Sequence, residues 1–200
     1  KKKKVPSDIE IKNALKLVDQ SKVLQLNPEN LSITKSNQDV SVNLSSIAKG
    51  YGIDIIGKKL KKLGIKNYLI DIGGDILTKG QNTIDKDWVI GIENPNLNKR
   101  LIKEIVNITD KGIATSGDYK NFYEENGVQY SHILNPNSGK PIIHNTKSVT
   151  IIHENAMMAD GWATALLALG STKGLEIAEK NKIASLFIIK EKNNFIKIKS

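Results

Sequence analysis

Asp160 and Thr164 stand four residues apart in a run, Ala156 to Leu169, whose small and apolar residues read as a helix. That spacing puts a carboxylate and a hydroxyl on one face. Such a pair either bonds to itself and to solvent, or offers hard oxygens to Mg²⁺ or Ca²⁺, with waters and ligand phosphates completing the shell. His132 lies in Ser131-His132-Ile133-Leu134-Asn135-Pro136, at the end of a strand-like run. It is either a satisfied structural imidazole or a base. Leu44-Ser45-Ser46-Ile47-Ala48-Lys49-Gly50-Tyr51 opens an amphipathic segment, and the free N–H groups of a helix entry favour an anion. Asp71-Ile72-Gly73-Gly74-Asp75 closes an apolar run that reads as a buried strand. Its paired glycines permit a ligand to approach the backbone closely. Ala114-Thr115-Ser116-Gly117-Asp118-Tyr119 is a further cluster of small and polar residues. His144 and His153 have no partners at ligand spacing and read as surface residues.

The elements that must carry these clusters can be traced by periodicity. Ser7 and Glu10 have capping-box spacing, and Ile11, Ala14, Leu15 and Val18 follow on one helical face. Val23 to Val42 reads as short strands turning at Asn27-Pro28. Ile47 to Leu63 reads as an amphipathic helix with Ile56, Leu60 and Leu63 inward, lysines outward and Gly64 as its stop. Strands are expected at Tyr68 to Ile72, Trp88 to Ile92, Ile102 to Ile108 and Ser148 to Ile152. Tyr119 to Tyr123 and Val128 to Leu134 flank the hairpin dipeptide Asn126-Gly127. A helix ended by Gly170, another from Thr172 to Lys180, and strands near Ile183 to Ile189 and Phe195 to Ile198 finish the chain. The expected architecture is one α+β domain over residues 1–200, with a mostly antiparallel sheet and packed helices.

Composition removes several classes. With no cysteine there is no disulfide scaffold, Cys-based zinc site or thiolate nucleophile. No apolar run approaches the ~20 residues of a membrane span. Mean hydropathy is −0.31, and 39% hydrophobic residues in periodic segments exclude a disordered tail. The net charge of +9 comes from 30 Lys+Arg against 21 Asp+Glu, and all the basic residues except Arg100 are lysine. Nucleic-acid readers concentrate Arg forks and aromatic platforms, so Lys1 to Lys4 and the Lys58 to Lys66 cluster read as a solvated face, with no nucleic-acid partner expected.

Taken in order, the polar clusters resemble one family. SSIAKGYGID, NYLIDIGGDILTKG, WVIGIENP, GIATSGDYKNFYEENGVQYSHILNPNSGKP and SVTIIHENAMMADGWATALLALG are similar to the ordered motifs of the FAD:protein FMN transferases, the ApbE family. The likeness covers nearly the whole chain from residue 43 onward. It departs at Asn43-Leu44-Ser45-Ser46, where the family often has Asp-Leu-Gly-Gly.

The resemblance implies an ApbE-like, T-fold-like domain whose N-terminal part precedes these residues. It implies Mg²⁺-dependent transfer of FMN from FAD to a Thr hydroxyl of an acceptor flavoprotein, with AMP released. The alternatives are FAD hydrolysis to FMN and AMP, or FAD binding without turnover. The family's metal ligands carry over to the carbonyl of Ala48, the carboxylate of Asp160 and the hydroxyl of Thr164, with Ca²⁺ as a substitute ion. The motif histidine carries over to His132 as general base, with Asp160 beside it in the catalytic set. For FAD contacts, motif membership points to Ser45, Lys49, Tyr51, Gly73, Gly74, Ser116, Gly117, Asp118 and Ile133. Implied acceptors carry an Asp-Gly-x-(Ser/Thr)-x-Ala-Thr motif, as in subunits of Nqr- and Rnf-type complexes and extracellular flavoproteins. Asp160-Gly161-Trp162-Ala163-Thr164 faintly resembles that motif, but Trp162 and the helical setting argue against self-flavinylation. The implied location is extracytoplasmic, on a lipoprotein anchored to the membrane outside the present chain.

Overall fold

A computed structural model describes residues 5–95, 102–118, 122–125, 128–192 and 194–200. The chain begins with α1 (Asp8–Leu15), α2 (Gln20–Val23), β1 (Leu24–Asn27), β2 (Ser32–Lys35) and α3 (Ala48–Lys62). Next come β3 (Tyr68–Ile72), β4 (Asp75–Lys79), β5 (Trp88–Glu93), β6 (Ile102–Ile108) and β7 (Gly112–Gly117). It ends with β8 (Phe122–Glu125), β9 (Val128–Ser131), β10 (Thr146–His153), α4 (Ala156–Lys180), β11 (Ala184–Glu191) and β12 (Asn194–Lys199). Six strands form one sheet in the order β12-β11-β10-β7-β4-β3, with every neighbouring pair antiparallel. The expected α+β domain with a largely antiparallel sheet is borne out.

Each face of the sheet buries a separate set of side chains. On one face Val149, Ile151, Phe187 and Ala114 meet Ala159, Ala163, Leu166 and Leu167 of α4. On the other, Ile76, Ile113, Leu186 and Ile188 meet Ile90, Ile92 and Ile108 of the β5–β6 ribbon. Alternation along β7, with Ile113 to one face and Ala114 to the other, joins the two layers through a single strand.

Several details differ from the periodicity reading. The capping box forms, with Ser7 and Glu10 bonding reciprocally, but α1 ends at Leu15, and Val18 lies beyond it and is exposed. Ile11 and Leu15 rest instead on Gly139. In α3 the buried row is Gly50, Ile53 and Gly57, whereas Ile56 and Leu63 face solvent and Leu60 is half-buried. The glycines win the inward face because the backbone of α3 comes directly against its neighbours. A Cβ on Gly57 would sit 2.7 Å from the Leu77 side chain. β3 is an edge strand with much of its length exposed, not a buried one. β4 and β7 were not expected as strands. His144 is not a surface residue, since both ring nitrogens are buried and the ring packs on Gly170. Gly170 breaks α4 as expected, with φ 76° and ψ 172°. Asn126-Gly127 and Tyr119 to Asn121 lie outside the described residues.

Candidate functional site

The β3–β4 connection is a two-residue turn through Gly73 and Gly74, at φ 62° and 92°. Two successive positive φ values are what a tight hairpin of matching twist needs and what glycine supplies without strain. The turn is closed by Gly74 N–H donating to Asp71 Oδ1 at 2.8 Å. This turn, the end of β7, the entry of α3, the middle of α4, β5 and the segment after β9 together enclose a cavity of about 1390 Å³.

The cavity has two kinds of wall. Ser45, Ser46, Lys49, Asp71, Thr115, Ser116, Asp160 and Thr164 contribute polar groups, and Gly73, Gly74 and Gly117 contribute backbone. Ile76, Ile90, Ile92, Ile113, Ile133, Leu134, Ala165 and Ala168 make an apolar surface. His132 lies on the lining, on an exposed segment. The combination suits a ligand with a charged part and a flat apolar part.

The polar end is built where α3 meets α4. Asp160 is only 4% exposed, and its Oδ2 accepts from Gly50 N–H at 3.2 Å. Burial pushes its carboxyl above the ordinary range; the Gly50 N–H opposes this, the negative charge of Asp75 adds to it, and Lys49 opposes it. Asp75 is 1% exposed and its Oδ2 lies 2.7 Å from Lys49 Nζ. Burial raises its carboxyl as well, against the pull of Lys49. One turn along α4, Thr164 Oγ1 shares a hydrogen bond with Ser116 Oγ at 3.0 Å. Behind them, Thr115 and Thr150 hydroxyls bond at 2.8 Å.

Asp54, also on α3, accepts the first two N–H groups of α4: Ala156 N to Oδ1 at 2.9 Å and Met157 N to Oδ2 at 3.0 Å. Asn155 Oδ1 caps locally, taking Met158 N–H at 2.9 Å. Gly50 permits the contact, because a Cβ there would fall 2.3 Å from the carbonyl oxygen of Ala156.

Of the residues singled out from sequence, the structure brings Ser45, Lys49, Gly73, Gly74, Ser116, Gly117, His132, Ile133, Asp160 and Thr164 onto one cavity. Ala48 opens α3 beside Lys49 but is not on the lining. Tyr51 is 54% exposed and also off the lining. Asp118 is turned aside, its carboxylate 3.8 Å from Lys147. Asp75 and Asp54 were missed. Asp54 stands four residues after Gly50, so an acid on the glycine row of a helix was the available signal. For Asp75 no periodic signal existed.

A hard cation fits this donor set. Asp160 and Asp75 are both buried with raised affinity for protons, and Lys49 pairs with Asp75 at 2.7 Å, so a dication at Asp160 would offset the cost of its buried charge. Carboxylate, hydroxyl and carbonyl oxygens are the ligand types Mg²⁺ takes. Among the described residues no three His, Asp or Glu side chains converge as an all-side-chain metal cluster.

Residues 1–187 match the ApbE family. An FAD:protein FMN transferase of Vibrio cholerae is 41% identical over 191 residues, covering 96% of this chain and 56% of that protein. One from Haemophilus influenzae is 41% identical over 174 residues, covering 86% and 50%. Among solved structures, the flavin transferase ApbE of Vibrio cholerae superposes with TM-score 0.88 at 37% identity, over all of this chain and 62% of that one. The apo flavinyl transferase ApbE of Pseudomonas stutzeri gives 0.87 at 37%, covering 99% and 60%. The chain spans about half the length of the curated relatives it matches.

Proposed function

Since this chain belongs to the ApbE family, we propose that it carries the metal- and flavin-handling part of an enzyme that transfers FMN from FAD to a Thr hydroxyl of an acceptor flavoprotein. The observation that carries this reading is the cavity with buried Asp160, half-buried Thr164 and exposed Lys49 at one end and its isoleucine wall at the other. The pyrophosphate belongs at the polar end and the flat ring system against the isoleucines.

Asp160, Thr164 and the Ala48 carbonyl would hold Mg²⁺. The bound ion supplies charge neutralisation at the pyrophosphate. Lys49, held by Asp75 at 2.7 Å, brings a cation to the same anionic group. Ser45 and Ser46 offer donors to phosphate oxygens at the entry of α3, where the helix's unpaired N–H groups also favour an anion. His132 takes the proton of the acceptor Thr hydroxyl as its oxygen attacks the FMN phosphorus. A new P–O bond forms, the bond from that phosphorus to the bridging oxygen breaks, and AMP departs with the electron pair. Such a reaction is governed by positioning and charge stabilisation. By the family resemblance, acceptors are extracytoplasmic flavoproteins with an Asp-Gly-x-(Ser/Thr)-x-Ala-Thr motif, and the enzyme works outside the cytoplasm on a membrane anchor. Among the described residues no helix is long and apolar enough to cross a membrane.

The test is in-gel flavin fluorescence with FAD, Mg²⁺ and an acceptor fragment, with EDTA as control. A fluorescent acceptor band that disappears with EDTA, and with Asp160→Ala, supports the assignment. A dark acceptor with free FMN and AMP overturns transfer in favour of hydrolysis. Undiminished transfer by Asp160→Ala overturns the metal assignment.

A further inference from the structure

We propose that Asp54 is a positioning residue for the metal site, acting through α4 without touching metal or flavin; this rests on the reading of Asp160 and Thr164 given above. Asp54 and Gly50 are one turn apart on α3, and Asp160 and Ala156 are one turn apart on α4. Carboxylate–amide hydrogen bonds run between the two helices in opposite directions at these positions. The α4 carboxylate of Asp160 takes the α3 amide of Gly50, and the α3 carboxylate of Asp54 takes the α4 amides of Ala156 and Met157. The result is a closed clasp between two helices.

Asp54 is not needed as an ordinary cap. Asn155 already serves Met158 with its side chain and Ala159 with its carbonyl. What Asp54 adds is a bond between residues 102 positions apart in sequence, made with both oxygens and charge-assisted. The donor set proposed for the ion is split across that junction, with Ala48 on α3 and with Asp160 and Thr164 on α4. The spacing of the two helices is therefore the spacing of the ligands. Asp54 fixes it from outside the cavity lining.

The experiment is Mn²⁺ binding to the FAD-free full chain, read by the free-ion electron paramagnetic resonance signal. It compares wild type, Asp160→Ala, Asp54→Ala and Asp54→Asn. Wild type binding with loss in Asp160→Ala establishes the underlying metal site; absence of binding in wild type refutes that reading and this proposal with it. Given the site, Asp54→Ala should weaken Mn²⁺ by ~10-fold or more, in the range seen for groups that orient metal ligands. Asp54→Asn, which keeps one acceptor oxygen in the same shape, should fall between. Flavin transfer by Asp54→Asn should recover at saturating Mg²⁺, with the loss in the Mg²⁺ requirement and not in kcat. A lowered melting temperature in Asp54→Asn with Mn²⁺ affinity and Mg²⁺ requirement unchanged would show a purely structural cap and overturn the proposal. If Asp54→Ala does not fold, the Asp54→Asn titration alone decides.

Discussion

Gly50→Ala sets two large effects against each other. In an isolated helix the change is favourable by ~1 kcal/mol, because alanine loses less backbone entropy. Here the new Cβ would lie 2.3 Å from the Ala156 oxygen and 2.6 Å from both the Ala156 carbonyl carbon and Met157 Cα. All three are backbone atoms of α4, so no rotamer can relieve the clash, and the helices must part by about 1 Å to reach ordinary contact. Overpacking of this kind costs ~1–3 kcal/mol. Parting the helices also lengthens the 3.2 Å bond from Gly50 N–H to the buried Asp160, and leaving such a group unpaired costs a further ~1–3 kcal/mol. The balance is a loss of ~1–5 kcal/mol despite the propensity gain. Because a displacement of ~1 Å at a reacting centre costs ~100-fold in rate, transfer should drop by about that factor in the fraction that remains folded. Urea denaturation of metal-free protein gives the stability, and initial rates of acceptor labelling at saturating FAD give the second number. A Gly50→Ala protein more stable than wild type, labelling at the normal rate, would refute the close-approach argument.

His132→Ala should retain FAD binding, measured by fluorescence quenching, while transfer falls by ~100- to 10,000-fold, the usual worth of a positioned base; loss of FAD binding with residual turnover unchanged would reverse the assignment. Glu104 tests electrostatics away from the site. Lys197 and Lys199 hold its carboxyl down to about 2, tying β6 to β12. A lowered carboxylate contributes stability above its unfolded value of 4.5 and loses it as pH falls toward 2. Glu104→Gln should therefore be less stable than wild type at pH 7, with the gap closing between those values and narrowing in 1 M salt. A gap independent of both would mean that packing, not charge, is what Glu104 provides.

The outer elements were legible because their signals are local. The capping box at Ser7 and Glu10, the turn after Asn27 and the break at Gly170 each follow from a few neighbouring residues, and each appears where expected. β7 was not legible. Gly112-Ile113-Ala114-Thr115-Ser116-Gly117 has small and polar residues where a strand pattern wants bulky ones. The reason lies across space: a Cβ on Gly112 would meet the Ala156 amide at 2.6 Å, so α4 leaves no room for one. The cluster of small and polar residues is a strand in the middle of the sheet, and Thr115 and Ser116 line the cavity from it. β4 was hidden in a similar way, since Gly73-Gly74 read as the end of the preceding strand and not as the turn of a hairpin.

The same residues explain why the site was visible only in part. Asp160, Thr164, His132 and Lys49 are polar groups in telling local contexts, and they gather on one cavity. Asp54 and Asp75 act through partners distant in sequence, and only the place of Asp54 on the glycine row of α3 hints at this. Ala156 shows the common cause. It is fully buried between Gly50 of α3 and Gly112 of β7, whose missing side chains leave space for backbone on both sides. Its amide is taken by Asp54. The first residue of α4 is thus seated in a socket made of backbone, one turn before Asp160. A helix anchored there can shift little at Asp160 and Thr164, which lie on the near side of the break at Gly170. Gly50, Gly112 and Asp54 set where the start of α4 stands, through contacts that no local pattern records, and Asp160 and Thr164 face the cavity from that helix.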